Sequence, residues 1–104
     1  MGYVYLIAEN GFDDRYKIGS TKSNKADHRL KQLQTGNSNK LYLKDSFETD
    51  VPFKLEKMLH NHFKDKGTIG EWFELDKSDI KNFNTICEKF QKIIDSMRDN
   101  PFFF

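Results

Sequence analysis

Two side chains near the start of the chain, Tyr5 and Lys17, could carry out acid–base or electrostatic chemistry together. They stand in two runs of alternating apolar and polar residues that flank an Asn-Gly pair, and this pattern predicts a β-hairpin. Successive strand residues point to opposite faces of a sheet. A register that pairs the two apolar faces therefore brings Tyr5 and Lys17 to one face, a phenol beside a primary amine.

An ordered set of short motifs resembles the GIY-YIG nuclease superfamily, in a branch common in phages and large viruses. Tyr3-Val4-Tyr5 stands in the place of the first tripeptide and Lys17-Ile18-Gly19 in the place of the second, with Lys17 where the family usually has a tyrosine. The remaining matches follow in the family's order: Asp27-His28-Arg29-Leu30, Leu55-Glu56-Lys57-Met58-Leu59-His60 and Gly70-Glu71-Trp72-Phe73. The resemblance spans residues 2–75 and implies a metal-dependent endonuclease that hydrolyses phosphodiester bonds in DNA.

The resemblance also implies roles for individual residues. Tyr5 would receive or relay the proton of the attacking water, and nearby cations would favour its phenolate, since an unperturbed tyrosine has a pKa near 10. Arg29 would grip the phosphate in a bidentate manner. Glu56 would hold the divalent cation, Mg²⁺ or Mn²⁺. Lys17 could assist Tyr5, contact the scissile phosphate or act as the base itself.

His60 lies four residues after Glu56, so on a helix the two side chains point the same way. We expect His60 either to donate a proton to the leaving group or to support the metal, with helix capping or packing as the alternative. Gly19 is expected to let the backbone and a phosphate approach closely. Trp72 and Phe73, although they match the pattern, are expected in the core.

Basic side chains concentrate in residues 15–44, which hold eight basic groups and one acid, whereas the rest of the chain carries a net charge of −6. Such a basic half can hold a polyanion. Four of its residues are candidate nonspecific phosphate contacts: Lys22, Lys25, Lys31 and Lys40. We therefore expect DNA as the partner, with RNA as an open alternative.

The remaining pattern predicts an α+β fold, a small three- or four-stranded antiparallel sheet flanked by helices. A helix is expected from Ser23 or Asn24 to near Gly36, a third strand around Leu41 and Leu43, and a short strand at residues 71–75. A second helix should run from Val51 to Lys64. Its expected buried side consists of Phe53, Leu55, Met58, Leu59, His62 and Phe63. A long last helix, capped by Asp76 or Ser78, should bury Ile80, Phe83, Cys87, Phe90, Ile94 and Met97, and Asn100-Pro101 should end it.

At 104 residues the chain is expected to form one domain. Residues 1–75 would be the nuclease core, and residues 76–104 a helix and aromatic tail packed on it. Phe102–Phe104 should either cover the core or meet a partner, and this helix and tail are the candidate surface for a homodimer or another protein. The single cysteine, Cys87, excludes an internal disulfide and a cysteine-based zinc site. Without a long apolar run or a signal-like start, a cytoplasmic protein without membrane association is expected.

A different class of function also fits the pattern, a catalytically inactive relative that binds nucleic acid or a protein through the same scaffold. Lys17 in the tyrosine position favours this alternative. Arg29 and Glu56 argue against it, because a lone carboxylate beside a phosphate weakens binding unless a metal ion reverses its charge.

Overall fold

The computed structural model of this chain describes residues 1–11, 14–22, 31, 34 and 40–98. Its strands are β1 Gly2–Glu9, β2 Arg15–Thr21, β3 Leu41–Thr49 and β4 Trp72–Glu74, and its helices are α1 Pro52–His62, α2 Lys77–Lys81 and α3 Phe83–Met97, with a 3₁₀ turn at Lys64–Lys66. The predicted α+β class with a small antiparallel sheet is confirmed. None of the described helices is long and apolar enough to cross a membrane.

Three predictions concern residues outside those ranges. They are the helix from Ser23 or Asn24 to near Gly36, of which only residues 31 and 34 are described, the end of the last helix at Asn100-Pro101, and the placement of Phe102–Phe104. They stay predictions.

The sheet has the order β3-β1-β2-β4 with antiparallel neighbours throughout. Because β1 is an inner strand covered on both faces, its side chains are apolar on both sides. Val4 and Leu6 belong to one buried cluster, and Tyr5 and Ile7 to another on the opposite face. All four are at most 1% exposed. The sheet therefore separates two apolar clusters, one on each face.

The helices cover the face that carries Val4 and Leu6. Helix α1 begins at Pro52, a residue suited to a first turn because its missing N–H would have no helical partner. Leu55 and Leu59, one turn apart, are both fully buried against this face. Helix α3 contributes Phe83, Cys87 and Ile94 to the same cluster. Burial raises the pKa of the Cys87 thiol to about 12, as expected for a packing residue.

Two residues predicted on the buried side of α1 lie outside it. Phe53 is 55% exposed, and His62 is exposed, although its ring edge contacts the rings of Phe63 and Phe90 at centroid distances of 4.7 and 5.4 Å. Leu55 and Leu59 define the side facing the sheet. Phe53 precedes Leu55 by two residues, which rotates it about 200° around the helix axis.

The predicted long last helix is in fact two helices. Asp76 caps α2 as predicted, because its carboxylate accepts a hydrogen bond from the Asp79 N–H at 2.8 Å while the Asp79 carboxylate accepts one from the Asp76 N–H at 3.1 Å. Asn82 then separates α2 from α3 with φ −94° and ψ 3°. Its side chain donates to the Ser78 hydroxyl at 3.3 Å. Asparagine competes locally for hydrogen bonds in this way, which explains the interruption.

Candidate functional site

The outer edge of β2 is shared by two different elements. Strand β4 pairs with the first half of β2 only, where Lys17 lies opposite Trp72. At the next residue, the Ile18 N–H donates to the Glu71 carbonyl at 3.0 Å, and the Ile18 carbonyl accepts from Nε2 of His60 at 2.8 Å. The backbone of Ile18 is thus the point where α1, β2 and the segment before β4 meet.

Three potential ligand side chains gather at this point. Ligand atoms of Glu56, His60 and Glu71 all lie within 4.8 Å of one another, and the three side chains are half-buried. Glu56 and His60 come from successive turns of α1, which confirms that they point the same way. Glu71 follows Gly70, whose φ of +60° lies in the left-handed region that favours glycine. The turn at Gly70 therefore helps to bring a second carboxylate to the first.

Lys17 joins this group through an ion pair. Its Nζ lies 2.8 Å from Oε2 of Glu71, and its side chain is only 14% exposed. The ammonium also lies 5.8 Å from the centroid of the Trp72 ring, a favourable position for a cation. Among the described residues, the site therefore combines two carboxyl groups, one ammonium and one imidazole.

Tyr5 approaches the same edge on the face of the sheet that lies away from α1. It pairs with Gly19, and Ile7 pairs with Lys17, so Tyr5 and Lys17 share a face, as predicted. A Cβ on Gly19 would lie 2.7 Å from a carbon of the Tyr5 ring, which means that the ring crosses β2 above Gly19. Gly19 thus makes room for the Tyr5 ring. Its predicted role of letting a phosphate approach the backbone stays a prediction.

The environment of Glu56 disfavours its charge. Burial raises the pKa of Glu56 above that of an ordinary carboxyl group, and the negative charge of Glu71 acts in the same direction. The nearby Ser20 hydroxyl, His60 and Lys17 oppose this shift without cancelling it. A carboxylate held this way gains from any additional positive charge placed beside it.

The hydrogen bond of His60 limits what this side chain can do. The Ile18 carbonyl can only accept, so Nε2 must carry the hydrogen. In the neutral imidazole Nδ1 is then an acceptor. Neutral His60 can therefore accept a proton or ligate a metal through Nδ1, whereas the predicted role as proton donor requires its charged form.

The donor set fits a divalent cation. Two ligands on one Mg²⁺ ion at about 2.1 Å each can be no more than about 4.2 Å apart. The separations of up to 4.8 Å in the cluster thus close with small side-chain movements. Carboxylate oxygens suit Mg²⁺ and Mn²⁺, and these ions keep coordination positions for water and phosphate oxygens.

The other predicted site residues are distributed along the surface or lie outside the described ranges. Lys22, Lys31 and Lys40 are exposed, as phosphate contacts must be. The ammonium of Lys22 lies 5.3 Å from the centroid of the Phe53 ring, and that of Lys40 lies 5.6 Å from the centroid of the Tyr42 ring. Arg29 and Lys25 are among the residues that the structure does not describe, so their roles stay predictions.

Sequence reasoning missed Glu71 and Ser20 as parts of the site. Glu71 belongs to a matched motif, but its neighbours Trp72 and Phe73 favoured a core position for this segment. The Gly70-Glu71 pair before a short strand was the available signal. Ser20 directly follows Gly19 in the second motif, yet only the packing of α1 against β2 brings its hydroxyl to Glu56.

Comparisons with known proteins bear on the whole of this arrangement. Searches of curated proteins and of solved structures found no match. A family model described as the T5orf172 domain matches residues 2–90, a range that includes the site and much of α3. This match suggests a nuclease-like or DNA-binding role. Since the match covers most of the chain, the chain belongs to the T5orf172 domain family.

Proposed function

We propose that this chain is a GIY-YIG-type, metal-dependent endonuclease that hydrolyses phosphodiester bonds in DNA. The observation that carries the proposal is the meeting of Glu56, His60 and Glu71 within 4.8 Å at the edge of β2, where Lys17 also lies. A pure binding surface for a polyanion would not gather two carboxyl groups. A hydrolytic site needs both a place for a cation and groups that move a proton.

A divalent cation held by Glu56, Glu71 and Nδ1 of His60 would supply positive charge to the phosphoryl oxygens and the leaving oxygen. Its binding would compete with Lys17 for Glu71, because the ammonium now lies 2.8 Å from that carboxylate. An ammonium released from Glu71 would be available for the phosphate. Lys17 would thus exchange Glu71 for the phosphate when the cation and the DNA bind.

The proton of the attacking water would pass to the phenolate form of Tyr5 by way of Lys17, whose ammonium would give a proton to the phenolate as its nitrogen takes one from the water. Tyr5 is only 1% exposed, so direct transfer from open solvent is disfavoured. Lys17 occupies a diagonal position on the same face, a spacing of about 7–8 Å that long side chains bridge. Arg29, by its resemblance to the family's arginine, would hold the phosphate while charge builds on it.

The burial of Tyr5 also favours the alternative function, a catalytically inactive module that binds nucleic acid or a protein. A tyrosine that serves only to pack the sheet would be equally enclosed. The two functions differ in the need for Glu56, because only the endonuclease requires a metal ligand.

The test is cleavage of supercoiled plasmid by the wild-type protein and by Glu56→Gln, with Mg²⁺, with Mn²⁺ and with a chelator. We expect Glu56→Gln to lose metal-dependent cleavage by roughly 10²-fold or more while keeping its fold and DNA affinity. Glu88→Gln, which changes an exposed carboxylate of α3, is the matched control and should cleave normally. Wild-type rates in Glu56→Gln would refute the assignment, and an inactive wild-type protein that still binds DNA would favour the alternative.

A further inference from the structure

An exposed aromatic side chain lies next to the site on the same helix. Phe53, Glu56 and His60 are spaced by three and four residues, so they lie along one stripe of α1. Phe53 is 55% exposed, although its side chain is large and apolar. Along the helix axis it precedes Glu56 by about 4.5 Å.

A cation accompanies the Phe53 ring. The ammonium of Lys22 lies 5.3 Å from the ring centroid. Lys22 directly follows β2 and is two residues from Ser20, whose hydroxyl lies near Glu56. An open cleft of about 320 Å³, lined by Met1, Gly2, Lys22, Asp50 and Pro52, adjoins this pair. The aromatic ring and the cation thus lie on segments that also carry residues of the candidate site.

An aromatic ring and an ammonium side by side suit the two parts of a nucleotide, its base and its phosphate. Aromatic side chains stack on bases, and lysines contact the phosphates that link them. In a duplex the base faces are covered by their neighbours, whereas an unpaired base presents a free face. We infer that Phe53 and Lys22 form a stacking platform for an unpaired nucleobase beside the scissile phosphate. This inference rests on the proposed function and specifies its substrate class, a DNA strand with unpaired nucleotides at the cleavage point.

The test measures binding in a chelator, so that no cleavage is needed. Fluorescence anisotropy would compare a labelled single-stranded oligonucleotide with the same sequence as a duplex over a series of salt concentrations. Phe53→Ala should weaken single-strand binding by roughly 5- to 100-fold, the effect of losing one stacked base. Its salt dependence should stay unchanged, and duplex binding should change by less than about twofold. Lys22→Ala should instead lower the slope of log affinity against log salt by about one contact.

Two further variants make the result specific. Phe53→Trp keeps an aromatic face and should retain wild-type single-strand affinity. Tyr42→Ala removes another exposed aromatic ring with a lysine over it, at the opposite end of β1, and should leave binding unchanged. Circular dichroism would confirm that each variant is folded, which is expected because both rings are exposed.

The outcomes separate this inference from the proposed endonuclease. An equal loss on single strand and duplex, or no loss at all in Phe53→Ala, overturns the stacking platform while leaving cleavage as an independent result. Absence of wild-type binding to the single strand also overturns it. A loss of single-strand binding without a loss of duplex binding in Phe53→Ala supports the platform even if the protein cleaves nothing. That combination would contradict only the proposed endonuclease activity.

Discussion

The Tyr5 ring packs directly against the backbone of Gly19. The Tyr5 ring occupies the space in which any other residue at position 19 would place its Cβ. Both residues are buried, so the ring has little room to move aside. Gly19 therefore leaves the space that the Tyr5 ring fills, and this contact couples the two strands at that position.

We predict that Gly19→Ala destabilises the protein by about 1–3 kcal/mol, the usual cost of overpacking a core, and impairs cleavage because the ring is displaced. Urea unfolding followed by circular dichroism would measure the loss. In a Tyr5→Ala background the ring is absent, so the same substitution should have a much smaller effect. Equal costs in both backgrounds would contradict a direct steric contact between the two residues.

Lys17 offers a second prediction at the residue scale. Lys17→Ala should reduce turnover by roughly 10²-fold or more, because it removes a charge next to the reacting groups. Lys17→Arg keeps the charge but cannot accept a proton. Partial rescue by arginine in a plasmid-nicking assay would therefore indicate electrostatic assistance, and no rescue would indicate proton transfer or strict geometry. Turnover unchanged in Lys17→Ala would remove the residue from the mechanism.

At the scale of elements, the end of α3 is tied to the connection between β3 and α1. Arg98 donates two hydrogen bonds to the Asp50 carboxylate at 2.6 and 2.7 Å, and a third to Asp95 at 2.8 Å. The hydrogen bonds from Arg98 hold the pKa of Asp50 below its usual value of 3.8. This contact secures the C-terminal turn of a helix whose buried side chains end at Ile94.

We predict that Arg98→Ala increases hydrogen exchange in the last turn of α3 while changing the melting temperature only slightly, because exposed ion pairs contribute little to global stability. Asp50 has a lowered pKa in the folded state, so its contribution is present above pH 3.8 and is lost as the pH falls below that value. The difference between variant and wild type should accordingly vanish in acid. Lys92→Ala, an exposed change on the same helix, is the control for exchange by mass spectrometry. Unchanged exchange in Arg98→Ala would show that the contact does not hold the helix end.

For the whole molecule, Cys87 reports on cooperative unfolding. It is the single cysteine of the chain, it is fully buried, and burial raises its thiol pKa to about 12. We expect the native protein to resist alkylation at pH 8, because both access and thiolate formation are suppressed. The alkylation rate should rise with urea in parallel with the loss of helical circular dichroism. Rapid labelling without urea, at the rate of the denatured protein, would contradict a single well-packed core.

The sequence predicted much of the architecture because local physics decides it. Alternation and the Asn-Gly pair specified the hairpin, and the shared face of Tyr5 and Lys17 followed from strand periodicity alone. The four-residue spacing placed Glu56 and His60 together in the same way. Buried positions such as Cys87 followed from helical periodicity, since an apolar stripe must face the sheet.

Only the tertiary structure decided how these pieces form a site. Strand β4 begins opposite Lys17 and pairs with β2 only as far as that residue, so His60 of α1 can bond to Ile18. This arrangement brings Glu71, from the turn before β4, to Glu56. Periodicity separates Phe53 from Leu55 around the helix, but only the packing of α1 decided that the side with Leu55 and Leu59 faces the sheet. Contacts between residues far apart in sequence depend on how the elements pack against one another, and no local pattern in the chain specifies that arrangement.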